Sequence, residues 1–156
     1  MELLRIVDRA TRANPMFIVS GIPGSVGSAT AALWREMGEA RARGRQFSLW
    51  PFEPPSGGPA VAEMYPRIAY DDAIGGRPTG KKSDPSFRSA AVDQLLRATW
   101  VLDASVRIEQ VDAARANDDD LDALVTAAAL LRRMLEGRPL SCAAVDPVAE
   151  GTMLLS

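Results

Sequence analysis

Asn117 and the aspartates at 118, 119, 120 and 122 stand directly in front of a long apolar run, "NDDDLDALVTAAALL" from 117 to 131. Carboxylates spaced so closely suit two tasks, beginning a helix or holding a cation. Residues three and four apart are neighbours on a helix, which puts Asp118, Asp119 and Asp122 on one face. Capping uses one side-chain acceptor, from Asn117 or Asp118, and the helix dipole favours further acid in the first turn by ~0.3–1 kcal/mol each. Three clustered carboxylates exceed that need and repel one another, so the pattern asks for a nearby cation, an arginine or a metal ion. From these residues alone both readings stand: a well-capped, solubilising helix start, or part of a ligand set.

A second candidate is Glu63, which interrupts the apolar run "VAEMYPR". A glutamate near the C-terminal end of a strand lies where α/β folds place their sites. On an edge strand the same residue would point to solvent or pair with Arg67. The lysine pair Lys81-Lys82 suits a phosphate and equally suits a solvated surface. Glycines at 21, 24 and 27, between "MFIVS" and a helical pattern, suggest nucleotide binding, but the signature fails. No Lys-Ser/Thr pair closes a phosphate loop, and the spacing is G-x-x-G-x-x-G rather than G-x-G-x-x-G. Trp34, Trp50 and Trp100 read as packing residues, and Asp71-Asp72 as part of a turn.

The elements that must position these groups follow from periodicity and punctuation. Apolar spacing predicts helices over 2–13, 28–42, 85–101, 103–115 and 118–136, the last with a core stripe of Leu121, Leu124, Val125, Ala128, Leu131 and Leu135. Alternation predicts strands over 16–20, over 45–52 and over "AVAEMYP", which Pro66 should end, with a further short strand in the tail "VDPVAEGTMLLS". Residues 71 to 86 read as a polar, turn-rich, mobile segment. Strand, glycine loop and helix in succession is an α/β signature.

Composition narrows the chemistry. The 156 residues are 47% apolar, enough for the core of one domain. With 18 Lys and Arg against 20 Asp and Glu there is no global basic field, so any contact with nucleic acid must be local. The chain has no histidine, and Cys142 is its single cysteine. Ser-His and Cys-His catalysis, histidine-bound zinc and an internal disulfide are excluded, which leaves acid-base and metal chemistry to carboxylates. "MELLRIVDRATRAN" is broken by charge every few residues, unlike a signal peptide or a membrane span, so the expectation is a cytoplasmic protein with no membrane partner.

Read in order, "SGIPGSVGSAT", "LWPFEPP", "VAEMYPR", "KKSD", "NDDDLDALVTA" and "EGTMLL" resemble the predicted RNase H-like nuclease family catalogued as domain-of-unknown-function 429. The resemblance runs from about residue 15 to the end, and its E-x-Y-P and D-x-x-D-A-L pieces are the most specific. It implies an α/β fold, an RNase H-like mixed sheet flanked by helices. Members of that family begin with a strand carrying a G-V/I-D motif whose aspartate is the central metal ligand. Here "RIVDRAT" around Asp8 lacks the glycine and the hairpin that should follow, and fits a helix instead. Residues 1–156 are therefore expected to form a single domain that is N-terminally incomplete, the C-terminal two-thirds of the family domain.

In that superfamily carboxylates bind two divalent ions that activate water and stabilise the leaving oxygen of a phosphodiester. Carried onto this sequence, the resemblance implies Glu63, Asp119 and Asp122 as catalytic metal ligands for Mg²⁺ or Mn²⁺, held weakly without the central aspartate. Arg67, Lys81 and Lys82 would lie near the phosphate. The first expectation is thus a metal-dependent nuclease, or its inactive remnant, acting on nucleic acid. The second is a non-catalytic interaction or self-assembly module, a homodimer or a chain whose sheet a partner completes, in which the same acids are caps and surface charges.

Overall fold

The computed structural model of the chain describes residues 5–13, 26–54 and 57–140. The strand expected over 16–20, most of the glycine loop and the C-terminal strand lie outside the described residues. The protein is mostly helical, with one small parallel sheet among the described residues. Its contacts divide into two compact units: described residues up to Glu63 form the first, and 64–140 the second.

In the first unit, α1 (Ile6–Thr11) is preceded by Arg5, whose backbone N–H donates to Asp8 Oδ2 at 3.0 Å. An acid three residues into a helix that reaches back to the flanking N–H satisfies a donor the helix itself cannot. The "RIVDRAT" stretch is thus helical, as its pattern predicts. After α2 (Val26–Ala42) come two short strands, β1 (Ser48–Leu49) and β2 (Ala60–Val61), paired in parallel with Ser48 opposite Ala60 and Leu49 opposite Val61. Both strands are far shorter than the alternation predicts. Pro51, Pro54 and Pro59 remove backbone donors from the segment between them, and among the described residues no third strand lies beside the pair to reward lengthening it. Glu53 holds the connection together: its carboxylate accepts from Leu49 N at 2.8 Å and from Arg41 Nη1 at 3.0 Å, tying β1 to the last turn of α2. Trp34 on α2 is 42% exposed, so its expected packing role is not fulfilled.

The second unit is a helical assembly of α3 (Pro66–Ile74), α4 (Pro85–Leu96), α5 (Thr99–Asp103), α6 (Val111–Ala116) and α7 (Asp118–Leu135). Pro66 does not merely end a strand. It opens a helix at the first position, where a missing N–H costs nothing and its fixed φ is already helical. Asp71 and Asp72, expected in a turn, form part of the last turns of α3, which stops at Gly75 in the left-handed conformation (φ 75°). The remaining turns, 75–84, end where the Asp84 side chain accepts from Ser86 N at 3.0 Å and begins α4. The expected helix over 103–115 shrinks to α6, since Ser105 and Gln110 both adopt positive φ (52° and 55°).

The core of this unit gathers Tyr70, Phe87, Val92, Leu95, Leu121 and Val125, with small residues Ala69, Ala73, Ala91, Ala128 and Ala129 letting the helices approach closely. The stripe expected on α7 holds through Leu121, Val125 and Ala128, but Leu131 and Leu135 are 38% and 55% exposed. Length explains the difference. At about 1.5 Å per residue, the nine residues of α3 cannot cover the eighteen of α7, and Leu135 at its far end lines an open hollow with Trp100, Asp103 and Ala104 instead.

Candidate functional site

Each carboxylate cluster that the sequence nominates has a protein partner. Glu63 follows β2 in the first unit, where Arg5 Nη1 donates to its Oε2 at 2.6 Å and Arg5 Nη2 to its Oε1 at 2.7 Å. The same guanidinium donates to Asp8 through Nη2 at 2.7 Å and Nε at 3.1 Å. Arg5 and Asp8 are 5% and 0% exposed. The planar fork of arginine meets each of the two carboxylates with a pair of nitrogens, which a lysine ammonium cannot do. Burial pulls the Arg5 guanidinium towards deprotonation, and its bonds to Glu63 and Asp8 more than offset that, so its pKa stays above the ordinary arginine value. The partner of Glu63 is thus Arg5, not Arg67.

The aspartates at the start of α7 belong to the second unit. Asn117 caps the helix, its side chain accepting from Asp119 N at 2.8 Å. Lys82 supplies the cation that the acid cluster calls for: its Nζ donates to Asp122 Oδ2 at 2.5 Å and lies 3.7 Å from Asp118 Oδ2. Burial lowers the Lys82 pKa, but the bond to Asp122 and the charges of Asp122, Asp118 and Asp119 outweigh it and leave the ammonium harder to deprotonate than usual. Arg88, buried to 8% exposure, pins this lysine's backbone by donating from Nη1 to Lys82 O at 2.9 Å, while its Nε donates to Arg115 O at 2.8 Å. Lys81 is exposed, and its carbonyl accepts from Asp84 N at 2.9 Å.

Lys82 and Asp122 also line an open cleft of ≈ 200 Å³ at the start of α3, together with Tyr65, Arg67, Tyr70 and Arg77. Two of the three cations expected near phosphate, Arg67 and Lys82, therefore meet in one place. Sequence reasoning does not single out Arg77 or Tyr70: Arg77 follows a Gly-Gly turn with no distinguishing motif, and Tyr70 sits at an ordinary core position of α3. The Arg77 guanidinium lies 4.6 Å from the ring centre of Phe87 and 5.9 Å from that of Tyr70. The Tyr70 hydroxyl is buried with no hydrogen-bond partner among the described residues. Burial, reinforced by the charge of Asp122 and opposed by that of Arg77, pushes its pKa up to about 12, so it remains a donor.

The trio Glu63, Asp119 and Asp122 divides between the two units. Among the described residues no group of three or more His, Cys, Asp or Glu side chains is arranged to hold a metal ion. Glu63 and Asp122 accept close bonds from Arg5 and Lys82. No helix among the described residues is long and apolar enough to cross a membrane. No protein-family model, curated protein or solved structure matches the chain.

Proposed function

We propose that this chain is a non-catalytic interaction module, a relative of the RNase H-like nucleases in which carboxylates of the catalytic type have become structural. One observation carries the reading: Glu63 is bound through both oxygens by Arg5, and Asp122 is bound by Lys82. A metal would have to displace charged donors already in place, and at Glu63 it would strip a buried arginine of one of its two carboxylate partners. The family motifs "VAEMYPR" and "NDDDLDALVTA" support the ancestry, and the partners of their acids support the loss of metal chemistry.

The self-assembly side of the reading draws on the first unit. Its sheet has two strands among the described residues, and Leu33, Trp34, Phe52 and Val61 are 54%, 42%, 49% and 37% exposed. Parallel strands are usually buried on both faces, so a pair flanked by exposed apolar side chains among the described residues favours a second copy or a partner strand.

Incubation of the protein with single- and double-stranded DNA and with RNA, in Mg²⁺ and in Mn²⁺, tests the catalytic half. The expected result is no cleavage above a no-protein control. Cleavage that disappears in an Asp119→Asn/Asp122→Asn double variant would establish the nuclease and end the structural reading.

A further inference from the structure

We infer that the cleft at the start of α3 binds a phosphate dianion, free or as the end of a phosphomonoester, through the guanidinium groups of Arg67 and Arg77 and the hydroxyl of Tyr70. The inference goes beyond the interaction-module reading and does not rest on it.

Charge is the first argument. The cleft walls carry three cations, Arg67, Arg77 and Lys82, against one acid, Asp122. Lys82 is already bonded to Asp122 and shields it, with Asp118 a further 3.7 Å contact on the same ammonium. What is left over for a ligand is the pair of arginines, neither of which has a carboxylate partner among the described residues. Arg77 is held against the rings of Phe87 and Tyr70 rather than by an anion. An arginine fork fixed on aromatic faces is preorganised for a planar pair of anionic oxygens, and phosphate is the anion that matches it twice over.

The second argument is the buried hydroxyl. Tyr70 is 2% exposed and lines this cleft, yet its Oη has no partner among the described residues. Buried polar atoms are almost always bonded, and an orphan in a native core asks for an explanation. Asp122 and Arg77, the two residues whose charges act on this hydroxyl, line the same cleft as Tyr70. A ligand oxygen there would satisfy it. The start of α3 adds to this: the helix has nine residues and no side-chain cap, and Tyr65, Pro66 and Arg67 at its beginning line the cleft, so the positive end of its dipole lies beside that space. With ≈ 200 Å³ available, the cleft suits a small anion and only the adjoining atoms of an ester.

The full-length chain, titrated by calorimetry with inorganic phosphate and with glycerol phosphate against sodium chloride of matched ionic strength, provides the test. Both phosphates should bind saturably. Tighter binding of inorganic phosphate would mark the free ion as the ligand, and tighter binding of the ester would mark a phosphomonoester whose organic part runs past Tyr65. Tyr70→Phe keeps the ring and the core, so the unliganded variant should be as stable as the parent or more so, while its affinity for phosphate falls about tenfold, the size of one bond to a charged partner. Arg67→Ala/Arg77→Ala should abolish saturable binding. No response above chloride, or phosphate binding by Tyr70→Phe equal to the parent's, would overturn the inference, and the tyrosine variant still decides the question if the double arginine variant does not fold.

Discussion

Two clusters of acids in this protein are each held by one cation, and they are held in opposite ways. In the first unit Arg5 binds Asp8 and Glu63 in a site where the guanidinium is 5% and Asp8 0% exposed, whereas in the second Lys82 binds Asp122 and approaches Asp118 with 42% of its side chain in solvent. Arginine is bonded through three nitrogens at fixed angles, and lysine reaches its partners with a single ammonium on a flexible stem. The contrast teaches that proximity of acids does not define a metal site. What decides is whether the protein has already supplied the charge, and how deeply it has buried the supply.

Breaking the buried clamp should have the largest effect. Arg5→Ala leaves Asp8 without a counter-charge in a dry environment, so urea unfolding should show a loss of about 3–5 kcal/mol, and Arg5→Lys should restore little of it because one ammonium cannot replace the fork. A loss under about 1 kcal/mol, the range of exposed pairs, would mean that water reaches the cluster and the contrast with Lys82 is one of degree.

A third acid sharpens the comparison. Asp72, at 14% side-chain exposure, accepts from Arg133 Nε at 2.6 Å and Arg138 Nη1 at 2.7 Å, which belongs with the arginine type although it lies in the same unit as Lys82. Burial raises its pKa, but Arg138 and Arg133 together more than reverse this and hold the carboxyl below its ordinary range. Because the folded value is the lower one, the stabilisation is complete above the unfolded carboxylate pKa of about 4 and is lost as pH falls through the folded value. Asp72→Asn should therefore cost about 1–3 kcal/mol near neutral pH. It should also flatten the decline of stability below about pH 4, and an acid limb as steep as the parent's would exclude Asp72 as its source.

The lysine clasp should matter least for stability. Lys82→Met is expected to change unfolding free energy by about 0–1 kcal/mol, the range of half-exposed pairs, and raising the salt concentration should shrink even that difference. A loss comparable to that of Arg5→Ala would erase the distinction between the two clusters.

Much of this is legible in the chain. The helix start at Asn117, the need of its acids for a cation and the buried run through Leu121, Val125 and Ala128 follow from spacing and charge, and the structure bears them out. The identity of the cation is not legible. Lys82 lies forty residues from Asp122 and Arg5 lies fifty-eight from Glu63, and such pairings are set by chain paths that local patterns do not encode. Strand length is hidden for a related reason, since alternation around Leu49 and Val61 says nothing about whether a neighbouring strand exists to pair with. Tyr70 gives no signal at all, because a tyrosine in a helical core stripe looks the same whether or not its hydroxyl has a partner.

Calorimetric titration of the parent chain with Mn²⁺, beside Lys82→Met and the Asp119→Asn/Asp122→Asn double variant, tests the central claim that the protein's own cations occupy its acids. The parent should give no saturable heat, with at most weak binding once Lys82 is removed and its contacts to Asp118 and Asp122 are lost. Saturable Mn²⁺ binding by the parent, lost in the double aspartate variant, would contradict it.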